Sequence, residues 1–153
     1  MFIRVVTGIH KHFDDRVVEW AMAATALYWG WTIAQPGTAW TNPAAWAGMS
    51  RLLGEDTWGM VSMLAGGFWV IALTVNGTFA DTIYSRVSPV VRCIAALGAC
   101  FVWGQVLMSV SAVQTSGAGI YPLPFFLSVW CVRTTLGNLG DERRSGRAPN
   151  RRT

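Results

Sequence analysis

Four apolar segments, separated by short polar connections, dominate the chain. They cover residues 17–34, 58–80, 90–112 and 120–137. None of them carries the polar stripe of a helix on the surface of a soluble protein. A membrane-crossing helix needs about 20 mostly apolar residues, which the second and third segments contain easily and the first and fourth only just. The pattern predicts an all-α integral membrane four-helix bundle with antiparallel spans.

Two shorter segments outside these spans have amphipathic patterns. Residues 2–13 place apolar side chains at helical spacing, and polar side chains occupy most of the remaining positions. Residues 43–54 begin with a proline, which suits the first turn of a helix, and continue with apolar residues along one face. We therefore expect two short amphipathic surface helices, the first on the cytoplasmic side and the second on the opposite side. Four tryptophans near that opposite side are typical of an interfacial aromatic belt: Trp31, Trp40, Trp46 and Trp58.

The distribution of charge predicts the orientation. Only 13% of the residues are charged, whereas soluble domains contain about 25%. With four spans, both termini and the connection between spans two and three share one side of the membrane. That side holds eleven of the twelve Lys and Arg residues, and the other side holds only Arg51. Because Lys and Arg concentrate in cytoplasmic loops, we expect a multi-pass protein of a bacterial inner membrane with both termini in the cytoplasm.

The C-terminal segment 141–153, which follows the predicted transmembrane domain 1–140, contains five arginines. We interpret it as a disordered, basic cytoplasmic tail whose first role is to anchor the topology. Each basic residue near an anionic membrane surface contributes about 1 kcal/mol of attraction, so anionic lipid and a cytoplasmic protein are both candidate partners. The tail has no aromatic side chain to stack on bases, which argues against nucleic acid as a partner.

The residues that usually carry chemistry do not form a recognisable site. The two histidines, His10 and His12, precede the first span, so no span offers the histidine ligand that usually holds haem. The three cysteines lie in apolar segments without a CxxC pair, which indicates neither a disulfide framework nor a metal site. The sequence therefore predicts a protein that is not an enzyme and has no catalytic, cofactor-binding or metal-binding residues.

Three charged residues lie near the predicted cytoplasmic ends of the spans: Glu19, Arg92 and Arg133. Charged side chains inside a membrane are costly and suggest a function or a partner. Two interpretations stay open at this point. Glu19 pairs with one or both arginines in an ionic cluster, or the long side chains extend to the lipid headgroups. In either case we expect the role to be structural.

Small and polar residues inside the spans indicate a second group of candidates. Gly30 and Gly66 each belong to a run of small residues spaced by four, a pattern that allows close helix packing. Gln105 and Ser109 are also four apart and share one face of the third span. These faces can pack within one chain, join subunits of a homo-oligomer, or line a pore. The sequence does not separate these uses.

A family resemblance rests on four short motifs. WG at 58–59 opens the second span and VNG at 75–77 closes it, while SPVVR at 88–92 enters the third span and FVWGQ at 101–105 lies inside it. In this order and spacing, over about residues 36–140, the chain resembles small four-span membrane proteins of tailed bacteriophages and prophages. The resemblance implies a protein of the holin-candidate type and marks no catalytic residue.

Three functions remain as hypotheses. The first is a phage or prophage inner-membrane protein that acts by holin-like assembly in the bilayer. The second is a regulatory or superinfection-exclusion protein that docks a partner through its basic tail. The third is a small transporter or respiratory membrane anchor, for which we would expect a charge at the middle of the membrane or a cofactor ligand. The spans contain neither.

Overall fold

A computed structural model of the chain describes residues 16–35, 40, 43–78, 83–113 and 116–145. Within these ranges the chain forms five α-helices and a short 3-10 turn at Ser116–Gly119, and it has no strand. The helices are α1 (Val17–Ile33), α2 (Pro43–Ser50), α3 (Glu55–Thr78), α4 (Ile83–Ser111) and α5 (Pro122–Ser145). The prediction of an all-helical protein is confirmed.

The observed helices differ from the predicted segments mainly at their ends. The surface helix expected over 43–54 corresponds to α2, which ends at Ser50. The helix α5 extends to Ser145, so residues 141–145 are helical and not part of an irregular tail. The predicted surface helix at 2–13 and the last residues of the chain, 146–153, lie outside the described residues.

The helix α4 begins at Ile83 and contains Pro89 inside it, whereas the third apolar segment of the sequence begins only at residue 90. A proline lacks the backbone N–H and removes one helical hydrogen bond. In the second turn this loss is local, and the preceding residue supplies a tertiary contact. The hydroxyl of Ser88 donates a hydrogen bond to the carbonyl oxygen of Ala72 at 2.8 Å. This bond ties the proline-containing turn to α3.

The four longer helices pack side by side. The helix α1 lies along α3, and α4 lies between α3 and α5. The short α2 rests on α4, and α1 also reaches α5. These contacts place the first turn of α1 close to both α4 and α5, which is where the candidate site forms.

The interior contains two fully buried tryptophans, Trp58 and Trp69. The indole N–H of Trp58 donates to the carbonyl oxygen of Met49 at 3.0 Å, and its ring stacks on Phe101 with centroids 5.6 Å apart. Trp58 is therefore a core residue that joins α2, α3 and α4, and it does not belong to the aromatic belt predicted for it. Trp31, in contrast, is 61% exposed.

The outer surface of the long helices is apolar. The exposed large side chains recur at helical spacing: on α3 they are Met60, Leu64, Phe68 and Ile71, on α4 they are Ile94, Leu97, Phe101 and Met108, and on α5 they are Leu123, Phe126 and Trp130. The interior is also largely apolar, but it encloses several polar and charged side chains, among them Glu19, Ser62 and Arg92. This burial departs from the usual soluble pattern, in which Glu and Arg are almost never fully buried.

Among the described residues, two segments are long and apolar enough to cross a membrane, judged by length and composition alone. They are Glu55–Val75 in α3, with a mean hydropathy of 1.7, and Ser88–Ser111 in α4, with a mean hydropathy of 1.9. The helix α1 has only 17 residues, and α5 carries a charged C-terminal end. Membrane association is supported to this extent. The multi-pass topology and the cytoplasmic location of the termini stay predictions.

Candidate functional site: a buried ion pair beside an interhelical cavity

Glu19 and Arg92 form an ion pair between α1 and α4. The Nε of Arg92 donates to Oε2 of Glu19 at 2.8 Å, and its Nη2 donates to Oε1 of the same carboxylate. This two-point contact uses the planar fork of the guanidinium, which matches a carboxylate. Glu19 is 5% exposed and Arg92 is 1% exposed. The structure thus brings together two of the three residues expected to form an ionic cluster.

The carboxylate of Glu19 also contacts α3. The indole N–H of Trp69 donates to its Oε2 at 3.3 Å. Desolvating two charges is costly, and a buried pair is tolerated when further hydrogen bonds satisfy its remaining polar atoms. Glu19 therefore links α1 to α3 through Trp69 and to α4 through Arg92.

Arg133 lies apart from this pair. Its guanidinium carbon is 5.8 Å from the centroid of the Trp130 ring, and the residue is exposed on α5. This geometry is a surface cation–π contact. Of the two interpretations that the sequence left open for Arg133, the structure favours a side chain directed to the surroundings.

A cavity of about 450 Å³ lies beside the ion pair, between α1, α4 and α5. The first turn of α1 forms one wall, Arg92 contributes from α4, and Trp130, Thr134 and Asn138 line it from α5. This volume falls within the range of about 300–1,000 Å³ that is usual for small-molecule sites. The cavity is therefore large enough for a small ligand or a lipid headgroup.

The guanidinium of Arg92 has one nitrogen that the ion pair does not use. Its Nη1 is buried and has no hydrogen-bond partner among the described residues. A buried donor without an acceptor costs about 1–3 kcal/mol, so an acceptor at this position would be stabilising. The same part of the chain contains no group of three or more His, Cys, Asp or Glu side chains that could hold a metal ion.

Gly30 and Gly66 both lie where α1 meets α3. A Cβ atom on Gly30 would lie 2.7 Å from the carbonyl oxygen of Gly59, and one on Gly66 would lie 2.8 Å from the carbonyl oxygen of Ala23. Between them, the hydroxyl of Ser62 donates to the carbonyl oxygen of Ala26 at 2.8 Å. Both glycines thus allow two backbones of the same chain to approach closely.

Ser109 and Gln105 lie farther along α4, about 20 Å or more from Arg92 by the helical rise. Ser109 is buried beneath α2, where a Cβ on Gly48 would lie 2.7 Å from its Oγ. Gln105 is half-buried. Ser109 therefore belongs to the contact between α2 and α4, and neither residue adjoins the cavity.

Sequence reasoning did not identify Trp69 or the cavity-lining residues of α5. Trp69 lies in the middle of an apolar span, where a tryptophan is usually taken for a packing residue. The one feature of the sequence that could have identified Trp69 is its indole N–H, because a buried donor requires an acceptor. Glu19 is a candidate acceptor, since it is the only acidic residue in the predicted spans. Thr134 and Asn138 gave no signal, because their position depends on how α5 packs against α1.

Comparison with known proteins does not add to this geometry. No protein-family model matches the chain, and neither a curated protein nor a solved structure is similar to it.

Proposed function

We propose that the chain is a multi-pass protein of a bacterial inner membrane, built as a four-helix bundle with both termini in the cytoplasm. It acts by assembly within the bilayer and not by catalysis, in the manner of the phage and prophage holin candidates that its motifs resemble. The observation that carries the proposal is the apolar outer surface shared by the four long helices, which enclose a buried ion pair.

The exposed apolar side chains of α3 recur at helical spacing and form one continuous stripe along the helix. Met60, Leu64, Phe68 and Ile71 follow one another at intervals of four, four and three residues, and each is 57–59% exposed. Soluble monomers rarely expose contiguous apolar patches of more than a few hundred Å². Comparable exposed side chains occur on α1, α4 and α5. Because all four long helices share the property, a surrounding apolar solvent explains it better than a single partner.

The two less apolar helices are compatible with this proposal. The 17 residues of α1 span about 26 Å, slightly less than the hydrocarbon thickness of about 30 Å. Glu19 lies in the first turn of this helix, and its charge is neutralised by Arg92. In α5, Arg133 is exposed and long enough to reach the headgroups. Among the described side chains, the four helices therefore place no unpaired charge deep in the proposed bilayer.

Reporter fusions test the topology. A fluorescent protein and alkaline phosphatase, each fused after residue 153 and after Gly54, report cytoplasmic and periplasmic locations respectively. We expect fluorescence from the C-terminal fusion and phosphatase activity from the Gly54 fusion. The opposite pattern would contradict the orientation, and equal signals at both positions would contradict a fixed topology.

Inducible expression in a bacterium tests the activity. A holin-like protein is expected to cause sudden entry of a membrane-impermeant dye after a lag, together with a fall in culture density. Steady growth without dye entry, at verified membrane expression, would rule out holin-like assembly. Gly67→Leu tests contacts between chains, because a Cβ at Gly67 meets nothing within 4 Å in its own chain. Gly66→Leu is the matched control, because it disrupts the contact between α1 and α3 within one chain.

The length of α5 favours a second candidate function, in which the basic tail docks a cytoplasmic partner for a regulatory role or for superinfection exclusion. The helix continues to Ser145, eight residues beyond the predicted end of the span at 137, which corresponds to about 12 Å. Such an extension would hold the basic residues of the tail away from the membrane. Phage challenge of hosts that express the full chain or a chain lacking 141–153 tests this candidate. Equal sensitivity to infection in both, and in cells without the protein, would exclude it.

A further inference from the structure

The cavity between α1, α4 and α5 combines hydrogen-bond acceptors with an opening toward the outer apolar surface. We propose that it binds one uncharged amphiphile that carries a free hydroxyl group, of the diacylglycerol class. This inference rests on the proposed membrane-spanning function for the source of the ligand, whereas the preference for a hydroxyl group rests on the side chains that line the cavity.

Three cavity-lining residues form one row along α5. Trp130, Thr134 and Asn138 line the cavity, and residues four apart lie on the same face of a helix. The row is about 12 Å long by the helical rise, and it changes from an aromatic ring through a hydroxyl group to an amide. An amphiphile matches this order, with its apolar part beside Trp130 and its polar head toward Asn138.

The polar atoms that this row offers to a ligand are mainly acceptors. The hydroxyl of Thr134 donates its proton to the carbonyl oxygen of Cys131 at 3.0 Å, so toward a ligand its oxygen can only accept. Asn138 is exposed, and the carbonyl oxygen of its amide is a further acceptor beside the two donors of the NH₂ group. A ligand hydroxyl can donate to Thr134 and accept from Asn138, which an ester or an ether oxygen alone cannot do.

The charged residues of the wall do not favour a charged ligand. Glu19 and Arg92 neutralise each other, and the remaining nitrogen of Arg92 is enclosed by the protein. Arg16 also lines the cavity and is engaged in an interaction of its own. Because desolvating an ion is costly unless an opposite charge is available to pair with it, the wall favours an uncharged head.

The apolar rim favours a ligand that enters from the bilayer. Val17 on α1 and Trp130 on α5 line the cavity and are 47% and 53% exposed, so the cavity lies at the edge of the outer apolar surface. The helix α1 packs mainly along α3, which leaves the side between α1 and α5 less closed. A diacylglycerol can therefore place its hydroxyl group beside Thr134 and keep its acyl chains along the apolar rim.

Native mass spectrometry of the full chain can test the proposal. The protein is purified in mild detergent and titrated with dioctanoylglycerol, with its acetylated form, which lacks the free hydroxyl group, and with dioctanoylphosphatidic acid as the anionic comparison. Thr134→Val removes the hydroxyl from the wall and keeps the shape of the side chain. Thr135→Val is the matched control, because the hydroxyl of Thr135 donates to the same carbonyl oxygen of Cys131 at 2.8 Å but is fully buried. Asn138→Trp fills the cavity from an exposed position on α5.

We expect saturable binding of one dioctanoylglycerol per chain, about fivefold tighter than that of the acetylated form, which is the effect of one net hydrogen bond. Thr134→Val should weaken the binding of dioctanoylglycerol about fivefold and reduce its advantage over the acetylated form. Asn138→Trp should abolish binding, and Thr135→Val should leave it near the parent value. Equal affinity for the two glycerides, tighter binding of phosphatidic acid, an equal loss in Thr134→Val and Thr135→Val, or unchanged binding in Asn138→Trp would each overturn the proposal.

Extraction of membranes with alkaline carbonate separates this result from the proposed function. A chain that stays in the membrane but shows no preference for the free hydroxyl group would contradict only the lipid site. A chain that carbonate releases but that still binds dioctanoylglycerol with this preference would keep the site and contradict the membrane-spanning function.

Discussion

Two adjacent glycines on α3 allow a direct test of the contact between α1 and α3. In Gly66→Ala the new Cβ would lie 2.8 Å from the carbonyl oxygen of Ala23 and 2.9 Å from the backbone nitrogen of Leu27. Both are backbone atoms, so the overlap cannot be relieved by rotating a side chain. In Gly67→Ala the new Cβ would meet no atom within 4 Å. The two variants therefore make the same chemical change at neighbouring positions, of which only Gly66 faces α1.

The structure sets the sign and size of each effect. Replacing a helical glycine with alanine is favourable by about 0.8–1.0 kcal/mol, so Gly67→Ala should raise the free energy of unfolding by up to that amount. Gly66→Ala has the same propensity gain, but overpacking costs about 1–3 kcal/mol. Because the propensity gain is common to both variants, the difference between them isolates the overpacking cost. We expect Gly66→Ala to be less stable than Gly67→Ala by about 1–3 kcal/mol.

Reversible unfolding in mixed micelles is a suitable assay. The protein in a mild detergent is titrated with a denaturing detergent, and the fluorescence of its tryptophans reports the transition. Gly30→Ala should behave like Gly66→Ala, since its Cβ would lie 2.7 Å from the carbonyl oxygen of Gly59. Equal stability of Gly66→Ala and Gly67→Ala would refute the reasoning, because it would mean that α1 and α3 do not approach at backbone distance.

Three further predictions concern the ion pair, the hydrogen bond of Trp58 and the exposed Arg133, and they can use the same assay. Glu19→Gln or Arg92→Met alone should lower the free energy of unfolding by about 3–5 kcal/mol, because each leaves a buried polar partner unpaired. The double variant should lose clearly less than the sum of the two single losses. Strictly additive losses would show that the pair does not form. Trp58→Phe keeps an aromatic ring but removes the hydrogen bond to Met49, so it should cost about 1 kcal/mol, and an unchanged midpoint would argue against that bond. Arg133→Gln should leave the unfolding midpoint unchanged, and a loss as large as that of Arg92→Met would place Arg133 in the ion pair.

The apolar pattern of the sequence located the helices because the periodicity of a helix is a local property. The segments expected at 17–34 and 58–80 correspond closely to α1 and α3. The predicted start of α4 and the predicted end of α5 were less accurate. Hydropathy indicates where a span leaves apolar surroundings, and the backbone can stay helical beyond that point. The helix α5 accordingly continues through polar residues to Ser145.

The sequence by itself determined which residues are candidates, and only the tertiary structure decided which of them meet. Glu19 had two arginine candidates near the same end of the bundle, and packing brings it to Arg92, 73 residues away along the chain, while Arg133 contacts Trp130. Likewise, the small residues around Gly30 suited either another subunit or the same chain, and the structure places them against α3. Helical period determines which side chains share a face, but the partner of that face depends on contacts between segments that are distant in sequence.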